Sequence, residues 1–126
     1  MDLDALVVVH TPEEAGAHGL ARAAELLLRS GAFGLVVVDL TGGLPRSTAW
    51  LGRLAGLARE HASRVVLLTQ GEEGAGSAGA LVGLRVVTRR ERRAPGRFVL
   101  DHRVLRDRSG GVAPRAEARR GPWGAA

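Results

Sequence analysis

The chain has 126 residues, of which 45% are hydrophobic and 25% are charged, and its formal net charge is +5. This composition excludes two full-sized domains, a disordered chain and a collagen-like fibre, and it predicts one domain with its own core. The absence of cysteine excludes a disulfide scaffold and a cysteine-ligated zinc site. No apolar run approaches the roughly 18 residues of a membrane helix, and acidic Asp2 and Asp4 stand where a signal peptide is basic. We therefore expect a cytoplasmic protein without membrane contact.

All 18 basic side chains are arginines, because the chain has no lysine. Lysine chemistry, whether a Schiff base or the phosphate-binding ammonium of a P-loop, is therefore not available. The charge is also uneven along the chain. Residues 1–63 hold 5 arginines and 7 acidic residues, whereas residues 64–126 hold 13 arginines and 6 acidic residues. A basic second half predicts an anionic partner, of which nucleic acid is the usual example.

The first predicted elements are a strand and a helix. Leu6–Val9 is a short apolar run rich in β-branched residues, which predicts a strand buried on both faces. A capping threonine, a proline and a glutamate then open a helix over Pro12–Ser30, and Gly31 stands where a left-handed residue ends a helix. The polar stripe of this helix consists of Glu14, His18, Arg22, Glu25 and Arg29, opposite Leu20, Ala23, Ala24, Leu27 and Leu28.

The strand–helix unit then repeats. Leu35–Val38 predicts a second buried strand ending at Asp39, and Val65–Leu68 predicts a third, which leads to Gln70. Between them a helix is predicted, with an apolar face formed by Trp50, Leu54, Leu57, Ala58 and His61. Apolar strands that alternate with helices predict a parallel sheet with right-handed crossovers.

The chain changes character after Gln70. Residues 71–79 form a glycine-rich loop that contains two glutamates. Leu84–Arg93 and Arg97–Arg106 read as two strands around an Ala-Pro-Gly turn, which predicts an antiparallel hairpin. From Ser109 the chain is rich in Arg, Gly and Pro without periodicity. We therefore predict a domain over residues 1–108 and a flexible tail over residues 109–126.

Open parallel sheets bind ligands beyond the carboxyl ends of their strands, so functional residues are expected at that end of the predicted sheet. His10, Asp39 and Gln70 are predicted at this end. An aspartate after four apolar residues is the pattern of a Walker B strand, but an aspartate that ends a strand is more often a turn or capping residue. The P-loop that would accompany it requires lysine, so we expect no enzymatic activity, no catalytic residue and no cofactor. The histidines and serines show neither metal-ligand nor catalytic-triad spacing, so we also expect no metal site.

Five arginines of the hairpin form the strongest local charge signal: Arg89, Arg90, Arg92, Arg93 and Arg97. Their guanidinium groups are suited to phosphates or to an acidic protein surface. The alternative is a solvated hairpin tip in a chain that is rich in arginine throughout. With four aromatic residues in the whole chain, a base-stacking surface is poorly supplied.

Residues 3 to about 110 resemble, in order, the second half of a RecA-type recombinase core. The strand Leu6–Val9 and the helix Pro12–Ser30, with Leu27–Ala32, resemble the family's strand and its helix ending in L-x-R-S-G-A. Leu35–Asp39 resembles its Walker B strand. Val65–Gln70 resembles the strand whose final glutamine senses the γ-phosphate. Gly76–Arg90 and Arg97–Arg108 resemble the segments that follow. The resemblance implies a RecA-like three-layer α/β fold with a mostly parallel sheet, lacking the P-loop strand and followed by a C-terminal antiparallel hairpin.

The chain departs from that family in the functional parts. The P-loop strand and the catalytic glutamate are absent, the DNA-binding loops are missing or shortened, and Leu40 replaces the usual serine. A core of this kind is similar to the ImuA accessory family, which works beside an ImuB-type polymerase relative in SOS-induced translesion synthesis. The resemblance implies a non-catalytic DNA-repair protein that binds RecA or an ImuB-type partner through the five arginines. Asp39 and Gln70 would then be relics of the ATPase site.

Two other functions stay open at this point. The chain would be the C-terminal half of a RecA-like ATPase, using ATP and magnesium, if its P-loop lies outside this sequence. It would be a single-stranded-DNA binder if the arginines contact phosphates directly, in which case its affinity should fall steeply with salt. In the family the P-loop strand lies beside the strand that ends in Gln70. Without that strand the apolar edge of Val65–Leu68 is unpaired, which predicts pairing with another chain or with the chain's own hairpin.

Overall fold

The computed structural model describes residues 2–71 and 78–108, together with the backbone of residues 115–120. Its contacts divide the chain into two units, Met1–Leu81 and Val82–Ala126. The boundary predicted at residues 108/109 does not coincide with this division. The glutamates of the glycine-rich loop, at positions 72 and 73, lie outside the described residues. Within the described part, no helix is both long and apolar enough to cross a membrane.

The first unit contains two helices and two strands. A 3₁₀ turn over Glu13–Ala15 precedes helix α1, which begins at Gly16 rather than at the predicted Pro12. Gly31, with φ of 68°, follows α1 as predicted and has the left-handed conformation that favours glycine. The elements in chain order are α1 (Gly16–Arg29), β1 (Leu35–Asp39), α2 (Ala49–Glu60) and β2 (Arg64–Leu68).

The strands β1 and β2 confirm the predicted parallel pairing. They run in register, from Leu35 opposite Arg64 to Asp39 opposite Leu68. Helix α2 forms the connection that a parallel pair requires. The pairing continues one residue further, because the Leu40 N–H donates to the Leu68 carbonyl at 2.8 Å.

The predicted strand Leu6–Val9 is wrong. These residues form no strand, and their side chains are between 46% and 64% exposed. A 3₁₀ turn over Leu3–Ala5 comes immediately before them, and the Leu6 N–H donates to the Leu3 carbonyl at 3.2 Å. The first amide of the apolar run is therefore used in a local turn, whereas a strand needs its amides for a neighbouring strand. Within the described residues, the sheet of the first unit consists of β1 and β2.

The core of the first unit lies between its helices and one face of this sheet. Val36 and Val38 of β1 are buried there, and Val65 and Leu67 of β2 pack against the same cluster. The other buried apolar residues are Ala21, Ala24, Leu28, Leu40, Trp50, Leu51 and Leu54. The mixed α/β class and the parallel pair are thus confirmed, and both described helices cover the same face of the sheet.

The second unit is an antiparallel sheet in which β4 lies between β3 and β5. The predicted hairpin is confirmed as β3 (Leu84–Ala94) and β4 (Arg97–Asp107). Its two-residue turn is Pro95–Gly96, and the φ of 68° at Gly96 is the positive value that a type II turn with proline at its first central position needs at the second. A further strand, β5 (Arg115–Arg120), pairs antiparallel with β4 and lies within the predicted tail.

Candidate functional site

Two of the five predicted arginines lie on the same face of the hairpin. Side chains alternate between the faces of a strand, and Arg90 lies opposite Leu100 while Arg92 lies opposite Phe98. Arg90 and Arg92 therefore share a face with Phe98 and Leu100. We call this surface the Arg90 face; it consists of Val86, Thr88, Arg90, Arg92, Phe98, Leu100, His102 and Val104. Over these eight positions it carries two arginines and no acidic residue. In the neighbouring strand, Arg115, Glu117 and Arg119 lie opposite His102, Leu100 and Phe98.

Contacts on the Arg90 face hold its polar groups in place. The guanidinium carbon of Arg90 lies 5.0 Å from the centroid of the half-buried Phe98 ring, which is a cation–π contact. Further along the hairpin, Thr88 Oγ1 and His102 Nδ1 share a hydrogen bond of 2.9 Å. The ring beneath Arg90 restricts its side chain, so less conformational entropy is lost when the guanidinium meets an anion.

The opposite face of the hairpin carries acidic residues among its arginines. Arg93 forms an ion pair of 2.8 Å with Glu91, and both side chains are more than 60% exposed. Arg89 lies directly opposite Asp101 in the strand register. The fifth arginine, Arg97, begins β4 beside the turn and lies opposite Ala94. The structure thus places the predicted arginines on two faces of the hairpin. The alternation of side chains along the predicted strand already implied this division.

Asp39 and Gln70 lie at the carboxyl-terminal ends of neighbouring strands. Asp39 is the last residue of β1, and Gln70 comes two residues after β2; both are exposed. His10 follows the exposed Leu6–Val9 segment and is therefore not placed at this end of the sheet by a strand. Asp39 Oδ1 accepts two hydrogen bonds from Thr41, at 2.7 Å from the hydroxyl and at 3.0 Å from the backbone N–H.

These two bonds stabilise the ionised form of Asp39. The hydroxyl bond from Thr41, and then the backbone bond from the same residue, lower the pKa of Asp39 below its usual value. The carboxylate is therefore charged throughout the neutral range. Because the pKa is lower in the folded state, the stabilisation is present above the unfolded pKa and is lost as the pH falls through the folded pKa.

Replacing the hydroxyl of Thr41 should reverse most of this shift. In Thr41→Val we expect the pKa of Asp39 to rise toward its usual value, because the shorter of the two hydrogen bonds is removed. The measurement is an NMR titration of the Asp39 carboxyl carbon. Thr41→Ser keeps a hydroxyl and should leave the pKa low; an equal rise in both variants would contradict the assignment.

Glu25 is the residue whose environment the sequence analysis missed. Its side chain is only 7% exposed, although the periodicity of α1 placed it on the polar stripe. Arg29 Nη2 donates to Oε1 at 2.7 Å, and Arg53 Nε donates to Oε2 at 3.2 Å. Arg22 Nη1 lies 3.7 Å from Oε1. Because Arg53 belongs to α2, the ion pairs of Glu25 join the two helices. In the sequence, the (i, i+4) spacing of Glu25 and Arg29 was the feature that indicated part of this cluster.

The described residues bring together no three histidine, aspartate or glutamate side chains that could hold a metal ion. No protein-family model matches the chain, and no curated protein matches its sequence. Two surfaces therefore bear on function: the Arg90 face, and the carboxyl-terminal end of the β1–β2 sheet, where Asp39 and Gln70 lie.

Proposed function

We propose that this chain is a non-catalytic RecA-like accessory protein in DNA repair, which acts in SOS-induced translesion mutagenesis by binding RecA or an ImuB-type polymerase relative. The observation that best supports partner binding is the one-sided placement of Arg90 and Arg92 beside Phe98. The ordered resemblance to the recombinase core supports the identity of the partner and a RecA-like three-layer fold. The described helices supply one of the two helix layers of such a fold, and Leu6–Val9 does not supply its first strand. The same resemblance makes Asp39 and Gln70 relics of the family's ATPase site.

The chemistry of the Arg90 face is suited to carboxylates on a protein surface. Guanidinium groups bind carboxylates through two parallel hydrogen bonds. Half-buried Phe98 and Leu100 provide apolar area between the charged groups, and protein interfaces are rich in this combination of aromatic side chains and arginine. The guanidinium of Arg90 already lies over the Phe98 ring, so that side of the ring is not open to a nucleic-acid base.

A comparison of three ligands tests the proposal. The full chain is titrated with RecA–single-stranded-DNA filaments and with bare single-stranded DNA at the same salt concentration, and an ImuB-type polymerase relative serves as a third ligand. We expect binding to the filament or to the ImuB-type protein, and none to bare DNA. Equal binding to filament and bare DNA would favour the single-stranded-DNA binder instead.

Charge-matched variants separate the two faces of the hairpin. The double variant Arg90→Gln, Arg92→Gln and the double variant Arg89→Gln, Arg93→Gln each remove two positive charges. We expect the first to weaken partner binding by about tenfold or more, which corresponds to ~1.4 kcal/mol, and the second to have a much smaller effect. The measurement is the Kd for the filament or the ImuB-type protein. Equal losses in both double variants would show that net charge matters and that the Arg90 face does not.

A further inference from the structure

One face of the β1–β2 sheet is apolar and exposed. Leu35 and Val37 of β1 are 56% and 54% exposed, and Val66 and Leu68 of β2 are 42% and 46% exposed. The strand register places Leu35 beside Arg64, Val37 beside Val66, and Asp39 beside Leu68. Four neighbouring apolar side chains on one surface are typical of an interaction site.

The charged residues of this face have a particular arrangement. Asp39 and Arg64 are both exposed and stand at diagonally opposite corners of the six-residue surface. The Thr41 bonds keep Asp39 ionised, and arginine is always protonated. The surface therefore has one negative corner, one positive corner and an apolar centre, which makes it complementary to itself.

We propose that this face binds the same face of a second copy of the chain, in a two-fold symmetric contact in which Asp39 of each copy meets Arg64 of the other. The sequence predicted self-association through the unpaired backbone edge of β2. The exposed side chains of β1 and β2 favour contact through the face of the sheet instead. The contact uses the first unit and is independent of the partner binding proposed for the hairpin.

The geometry of packed sheets allows this pairing. Strands about 4.8 Å apart, with a rise of about 3.3 Å per residue, incline the line from Arg64 to Asp39 by roughly 20° from the strands. A two-fold axis that lies between the two sheets and is perpendicular to that line places Asp39 of each copy over Arg64 of the other. The strands of the two copies then run antiparallel and cross at about 40°, close to the ~30° of aligned sheet packing. If the axis lay along or across the strands, Asp39 would instead face Leu68 or Leu35 and its charge would be buried without a partner.

The size of the surface sets the expected strength. Two five-residue strands cover roughly 17 Å by 10 Å, well below the ~800 Å² per partner of a standard interface. We therefore expect a weak dimer, with a Kd between about 10 μM and 1 mM. Sedimentation equilibrium of the full chain over this range measures it, and a chain that stays monomeric throughout overturns the proposal.

An apolar-to-charged substitution tests the centre of the surface. In Val37→Glu a carboxylate would face its own copy near the symmetry axis, and we expect the dimer to weaken at least tenfold. The matched control is Leu26→Glu, because Leu26 is also apolar and 53% exposed but lies on α1. The control should dimerise like the original chain. If Val37→Glu dimerises equally well, or if both variants lose the dimer, the proposed face is wrong.

Charge reversal tests the corners. Asp39→Arg and Arg64→Asp should each weaken self-association at least tenfold, because each creates two like-charge contacts. An equimolar mixture of the two variants should form heterodimers, since every corner then meets its opposite charge again. This recovery also shows that both variants are folded, including Asp39→Arg, which lacks the Thr41 bonds. A mixture that stays monomeric, or single variants that dimerise normally, would overturn the pairing of Asp39 with Arg64.

Discussion

Leu28→Ala should lower the free energy of unfolding of the first unit by about 2–5 kcal/mol. Leu28 is fully buried, at 0% exposure, within the cluster that α1 shares with α2 and β1. Truncation removes apolar contacts and leaves a cavity that close-packed neighbours fill only in part. Since small domains have a total stability of roughly 5–15 kcal/mol, the loss is a large fraction of the whole.

Urea denaturation measures this effect. The fluorescence of the buried Trp50 reports on the first unit, and a Trp123→Phe background removes the second tryptophan of the chain. Leu26→Ala is the matched control, because it makes the same substitution in the same helix at a side chain that is 53% exposed. We expect the control to change the stability by less than about 1 kcal/mol; similar losses in both variants would contradict the described core.

Glu25→Gln should lower the free energy of unfolding of the first unit by about 1–2 kcal/mol. The substitution keeps the shape of the side chain but removes the charge that faces Arg22, Arg29 and Arg53. The arginine side chains are 55–65% exposed, so water can solvate them after the change. The loss is therefore smaller than the ~3–5 kcal/mol that follows when a fully buried charge is left without its partner.

Salt distinguishes this effect from a loss of packing. Without the carboxylate, three arginines repel one another near the joint between α1 and α2, and about 1 M NaCl screens that repulsion. The deficit of Glu25→Gln should therefore shrink at high salt in the same urea assay. Glu14→Gln removes an exposed carboxylate from the 3₁₀ turn that precedes α1 and should have little effect. A deficit in Glu25→Gln that does not depend on salt would contradict the electrostatic role.

Helical and strand periodicity predicted most of the described elements. The second helix, β1, β2 and the hairpin appear where the apolar spacing and the turn residues placed them, whereas α1 begins at Gly16 and not at Pro12. The Leu6–Val9 strand failed because an apolar run shows only that a segment is suited to a strand, whereas strand formation also needs a neighbour for its backbone. That neighbour is a tertiary property, and the local turn at Leu3–Ala5 competes for the first amide.

The candidate site was predictable to a different degree at each residue. The arginines were visible, and their division between two faces follows from the period of a strand once the hairpin turn is located. The burial of Glu25 was not visible, since periodicity indicates which residues share a helix face but not which helix will lie beside them. Only the packing of α2 brings Arg53 to that carboxylate, across a sequence separation of 28 residues.

The two kinds of strand pairing impose a temporal order on folding. A hairpin closed by a two-residue turn brings its ends together locally, within about 1–10 μs for simple hairpins. The parallel pair cannot begin in this way, because β1 and β2 meet only after the chain between them has formed α2 and returned. The entropy of closing that longer loop is lost before its contacts form. A complete chain that refolds from the unfolded state can therefore close its basic hairpin early, while its apolar parallel strands stay unpaired for longer and are exposed to aggregation during that interval.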